Sequence, residues 1–199
     1  MIFRLFSLLC ALTLAASMTA CAIFKGKPTL PQPTEIQKQL YNLQNWKLDG
    51  RIAVKSGDEG WNANLTWDHG NDQDRLLISG PFSQGAVSII MQSGLITINE
   101  SNGEVSTSRD PDDLLKQKLG FSVPLPSLRY WVLGVPAPDI NFQAIRDAEQ
   151  HVQGFKQQDW VLTFDSYEKV SSFSMPQKIT AQGSSMRLRL VVDEWVLQK

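Results

Sequence analysis

From Trp46 onward, apolar and polar positions alternate with a period of two. Trp46, Leu48, Gly50, Ile52 and Val54 stand against Lys47, Asp49, Arg51 and Lys55, the pattern of a strand with one buried face. Trp61 to Trp67 repeats it, with Trp61, Ala63, Leu65 and Trp67 on one side. A polar turn at 68–72 leads to a strand with Leu76 and Ile78 inward. After Gly80-Pro81-Phe82-Ser83-Gln84-Gly85, a further strand places Val87, Ile89 and Met91 inward. Ser93-Gly94 and Asn102-Gly103 mark tight turns around Leu95 to Asn99 and Val105, so the spacing predicts an antiparallel meander.

The period changes at Asp110. Asp110 caps, Pro111 takes the first helical position, Asp112 and Asp113 fill the first turn, Lys118 the last, and Gly120 stops the helix. A second short helix is predicted from Leu125 through Leu128, Tyr130, Trp131 and Leu133 to Gly134, where Pro136 and Pro138 prevent continuation. Strand patterns return at 152–157, 160–167, 177–181 and 186–196. One long sheet with helices inserted has no second sheet to pack on. It is expected to curl into an incomplete antiparallel β-barrel, mainly β in class, with the short helices as a lid over an apolar cavity.

The N-terminus reads differently. Arg4 is the only charge before Cys21, and Leu5 to Ala16 form an apolar run too short to span a bilayer, as in a secretory signal peptide. Met18-Thr19-Ala20-Cys21 looks like a bacterial lipobox, which predicts cleavage before Cys21 and acylation of its thiol. Ala22, rather than Asp, follows the Cys; resemblance to sorted lipoproteins implies that this permits release, so the expected location is the periplasmic face of the outer membrane, lipid-anchored through Cys21. The organisation expected is therefore a signal peptide at 1–20, a Pro-rich and polar tether at 21–45, and a folded domain at 46–199. Within the tether, Pro33 to Asn42 has the spacing of a short amphipathic helix through Ile36 and Leu40.

Composition narrows the function. Of 19 basic and 20 acidic residues, only Arg4 is lost with the signal, so the mature chain is slightly acidic and has no clustered basic run, which argues against nucleic acid. Cys10 leaves with the signal and Cys21 is the acylation site, so no disulfide is available. The two imidazoles, His69 and His151, have no ligand-spaced partners, and both read as structural or solvent-exposed. The 68–74 turn fails the calcium-loop pattern, with Gly70 at a ligand position and Gln73 in place of Gly. No nucleophile elbow or phosphate-binding loop occurs. No catalytic residue, metal or cofactor is expected.

The motifs Trp46-x-Leu48-x-Gly50-Arg51, Trp61-x-Ala63-x-Leu65-x-Trp67, Gly80-Pro81, Leu125-Pro126-x-x-Leu128-x-x-Trp131-x-Leu133-Gly134-x-Pro136 and Leu188-x-Leu190-x-x-x-x-Trp195 resemble, in order and across the chain, the outer-membrane lipoprotein receptor LolB family. The resemblance implies a monomer that accepts acylated lipoproteins from the periplasmic carrier LolA and inserts them into the inner leaflet of the outer membrane. Cavity-lining positions would be Trp46, Leu48, Trp61, Leu65, Trp67, Ile78, Ile89, Trp131 and Leu190. The family's protruding apolar residue falls on Phe82, where relatives usually carry Leu followed by Gly; Phe82-Ser83 here leaves open a ring in water or one folded onto the sheet. Two other classes compete: an envelope scaffold lipoprotein with a solid core, and a lipid-acting hydrolase with a nucleophile beside His69 or His151.

Overall fold

A computed structural model describes residues 34–70, 72–80 and 85–198; Cys21 and Phe82 lie outside the described residues. Residues 34–198 begin with helix α1 (Glu35–Tyr41) and strands β1 (Trp46–Ser56), β2 (Glu59–Gly70), β3 (Gln73–Ser79), β4 (Val87–Gln92), β5 (Leu95–Asn99) and β6 (Val105–Ser108). Helices α2 (Pro111–Leu119) and α3 (Leu125–Trp131) follow, then β7 (Phe142–Arg146), β8 (Val152–Gln157), β9 (Trp160–Val170), β10 (Phe173–Gln182) and β11 (Met186–Leu197). Among the described residues no helix is long and apolar enough to cross a membrane.

The strands form one eleven-stranded sheet in the order β6-β5-β4-β3-β2-β1-β11-β10-β9-β8-β7. Two meanders, β1 to β6 and β7 to β11, join where the first and last strands pair antiparallel. The sheet edges, β6 and β7, are therefore the strands that flank the helical insertion, which places α2 and α3 where a closed barrel would have its seam.

Antiparallel register turns the period-two pattern into rows of apolar side chains. Leu48, Trp67, Leu76, Ile89 and Ile98 stand opposite one another across β1 to β5, and all five are buried. On the other side, Ile52, Leu190, Ile179 and Phe164 form a matching row. Gly50 sits at a bulge in β1, where a Cβ would overlap the Val191 carbonyl oxygen of β11. Only glycine lets the two backbones meet there.

The helices follow their caps. Asp110 Oδ1 accepts from the Asp113 N–H at 3.1 Å, and Gly120 ends α2 in the left-handed region at φ 79°, as expected of a C-terminal glycine. Helix α1 carries a capping box between Thr34 and Gln37. Its Leu40 is buried and the Tyr41 hydroxyl donates to the Pro136 carbonyl at 2.8 Å. The packed body thus includes α1, which the sequence pattern assigned to the tether, because one apolar turn found a partner in the loop after α3. Strand β7 was not read from the sequence at all: with three of its five residues exposed, this edge strand lacks the alternation of a half-buried strand.

Candidate functional site

The concave face of the sheet and the two inserted helices enclose an entirely apolar cavity. β1 contributes Ile52, β2 contributes Trp61, Leu65 and Trp67, β3 and β4 contribute Leu76, Ile78 and Ile89, and β11 contributes Leu188 and Leu190. The opposite wall comes from Leu115 and Leu119 of α2, Phe121 and Val123 of the connecting loop, Leu125 and Leu128 of α3, and Val132. Trp61 meets Phe121 across the gap with ring centroids 5.7 Å apart. The cavity measures only about 40 Å³, little more than the volume of one water molecule and far below the 300 Å³ or more of a typical ligand site. A long apolar ligand enters only if sheet and helices separate.

The nine positions read from the sequence as cavity lining divide. Trp61, Leu65, Trp67, Ile78, Ile89 and Leu190 line it. Trp46, Leu48 and Trp131 do not. Leu48 is fully buried in the sheet core. Trp46 borders a separate, more polar pocket of about 350 Å³, shared with Tyr41, His69, Arg129 and Tyr130. Trp131 turns its indole toward β8. Period-two reasoning finds which face a residue uses but not how far along the strand the helices extend, so it overcounts at the ends. It also passed over the helical wall, whose Leu115, Leu128 and Val132 were visible as apolar positions but had no assigned facing surface.

Two buried polar groups frame the site. Gln157 on β8 is 1% exposed. Its Oε1 accepts from Trp131 Nε1 at 2.7 Å and from the Ala137 N–H at 2.8 Å, while its Nε2 donates to the carbonyls of Ala137 and Ile140 at 2.9 and 3.0 Å. The amide's full hydrogen-bonding capacity is used, and it ties the end of α3 and the loop beyond it to the sheet. Asp74 on β3 is 5% exposed. It accepts from Trp67 Nε1 at 2.9 Å, lies 2.8 Å from His69 Nδ1, and has Arg129 of α3 at 3.7 Å. Neither residue was singled out from the sequence, although Gln157 stands two residues after the inward Phe155 and so carries a polar side chain into an apolar row.

His69 is thus enclosed by Asp74 and the Trp46 ring, and His151 is exposed in the β7–β8 turn beside Asp147. Among the described residues, neither imidazole has a Ser, Thr or Cys side chain as a hydrogen-bond partner.

A statistical model of the family described as "Outer membrane lipoprotein LolB" matches residues 44–195, which spans the sheet and both helices of the lid. The chain belongs to the LolB family. Curated relatives named outer-membrane lipoprotein LolB match along almost their whole length. The protein of Cellvibrio japonicus is 30% identical over 98% of this chain and 98% of its own, and that of Pseudomonas fluorescens is 27% identical over 99% and 96%. The fold is also similar to a LolA superfamily protein from Nitrosomonas europaea, with a TM-score of 0.52 and 11% identity over 82% of this chain and 90% of that one. Family membership makes this chain a lipid-anchored outer-membrane lipoprotein with a role in lipoprotein localization.

Proposed function

We propose that this protein is the outer-membrane receptor that takes acylated lipoproteins from the periplasmic carrier LolA and inserts them into the inner leaflet of the membrane. The observation that carries the reading is the wholly apolar cavity between the sheet and its helical lid. An acyl chain of about 15 methylenes costs about 12 kcal/mol to leave bare in water, so it must pass from one apolar cavity to another. Direction comes from relative affinity, carrier to receptor to bilayer.

Cys21 is the proposed acylation site and residues 21–33 the tether; fatty-acid labelling should mark the wild type and not Cys21→Ala, and equal labelling of both would exclude it. Phe82, in the connection between β3 and β4, is the proposed membrane-entering residue, since an aromatic at the interface gains by burying its apolar body. The test is a two-stage assay, from carrier to receptor and then into liposomes. Phe82→Glu should accept cargo and fail to insert it. Failure of both steps together with lost thermal stability would make Phe82 a core residue.

A scaffold with a solid core is favoured by one observation, the near-closure of the cavity. An apolar dye displaced by an acylated peptide and not by its unacylated form supports the receptor. No dye binding at all supports the scaffold.

A further inference from the structure

Toward the β1–β2, β8–β9 and β10–β11 turns, the convex face of the sheet gathers cations that are scattered along the chain. Cross-strand register places Lys55, Arg187, Gln182, Val161 and Lys156 in one row from β1 to β8. The next row holds Asn62, Ala53, Arg189 and Thr180, and the third holds Asn64, Arg51, Val191 and Lys178. Directly opposed residues in antiparallel strands share a face, so six cations stand together. All six are exposed. Asp193 pairs with Arg51 at 2.7 and 3.0 Å. Asp49, which holds Lys47 at 2.8 Å, and Glu194 oppose each other beyond the Arg51 row, exposed Asp165 lies beside Ser166, the partner of Lys178, and Asp58, Glu59 and Asp159 stand at the rim, in or beside the hairpin turns. Among the described residues Lys55, Lys156, Lys178, Arg187 and Arg189 make no ion pair. At about 4.8 Å between strands, the patch is about 19 Å wide. A depression of about 410 Å³ opens on it over Ala53, bordered by Arg51, Arg189, Asn62 and Asn64.

We propose that this face rests on the anionic phospholipid headgroups of the membrane that anchors the chain, with a lipid phosphate seated over Ala53 between Arg51 and Arg189. The proposal rests on the outer-membrane anchorage given above and is independent of how cargo is handled. Three observations favour lipid over an acidic protein. The three rows contain no aromatic residue, whereas protein interfaces are built around aromatic anchors. The cations are spread over a broad sheet face, which suits a plane of charge. Thr34 lies thirteen positions after Cys21, a reach of at most about 45 Å, so an acylated Cys21 holds the domain within reach of the bilayer. β3 also ends, at Ser79 opposite Asn64, at the border of the patch. Seating the patch would therefore bring the β3–β4 connection toward the lipid.

The test uses the mature chain carrying Cys21→Ala, so that the anchor supplies none of the binding, with vesicles of phosphatidylethanolamine alone or mixed with phosphatidylglycerol. Co-sedimentation should occur with the mixed vesicles and fall as salt rises, because screening shortens the reach of the charges. The triple variant Lys55→Gln, Arg187→Gln, Arg189→Gln should bind roughly a hundredfold more weakly at unchanged thermal stability. A control triple off the patch, Arg109→Gln, Lys116→Gln, Lys169→Gln, should change it much less. Ala53→Leu, which fills the depression and keeps every charge, should weaken binding severalfold; no effect would overturn the phosphate seat. Equal binding to both vesicle types, or equal loss in both triples, would overturn the membrane face. So would a patch triple that binds vesicles normally but takes up cargo poorly from the carrier in solution, since the face would then dock protein. Transfer of cargo in solution is scored separately, so failure here leaves the receptor reading standing.

Discussion

Helices α2 and α3 cover the same cavity but are held in place by different means. Helix α3 has seven residues and no side-chain cap at its N-terminus, so it is too short to persist alone. A tertiary hydrogen bond, Trp131 to Gln157, and an ion pair, Arg129 with Asp74 at 3.7 Å, fix it. Helix α2 is capped at both ends by its own sequence, yet it touches the sheet through apolar side chains and one partly buried ionic cluster. There, the hydrogen bond to Glu104 and the charges of Glu104 and Glu100 push the Lys118 ammonium pKa up, and Lys118 holds the Glu104 carboxyl below its ordinary value. Lys118 Nζ lies 3.0 Å from Glu100 Oε1, within ion-pair range but off the angle of a hydrogen bond. The difference assigns the two helices separate parts in opening the cavity. The expected outcome is that α3 stays in place while α2 with the 120–124 loop lifts, since apolar contacts re-form on a ligand chain whereas a broken buried hydrogen bond has no substitute partner.

The strongest way to break this contrast is Gln157→Leu. It leaves the Trp131 and Ala137 N–H groups buried without acceptors, at about 1–3 kcal/mol each, so denaturant unfolding should show a loss of about 2–5 kcal/mol. A loss under 1 kcal/mol would mean that α3 is not anchored there. Native-state amide exchange sharpens the comparison. Amides of α2 should exchange through local opening at least about tenfold faster than those at the end of α3, a gap of about 1.4 kcal/mol in opening free energy. Equal protection would make the lid a single rigid piece.

The smallest expected effect is that of pH on α2. Because Glu104 has a lowered folded pKa, its contribution is present above its ordinary value near 4.5 and is lost as pH falls through the lowered one. Asp112 on the same helix acts oppositely: burial first, then Asp110, raises its pKa against a hydrogen bond from Ser122. Its charged form is disfavoured in the fold, and acid relieves that cost. The readout is therefore the difference between wild type and Lys118→Gln. Acid should accelerate α2 exchange more in the wild type, and identical pH profiles would show that the Lys118 cluster does not hold the helix.

The sequence by itself determined the strands other than β7, the caps of α2 and the face that residues of the alternating strands use, because period-two alternation, Asp110, Pro111 and Gly120 act through local sterics and hydrogen bonds. It located six of the nine proposed lining residues for the same reason. Where α1 packs, that β7 completes the sheet, that Trp131 turns away to Gln157, and that six cations converge on the convex face all depend on groups far apart in the chain. Lys55, Lys156 and Arg187 are separate, unremarkable charges until strand register sets them in one row. Register is a property of pairing between strands, so it is decided only when the sheet forms.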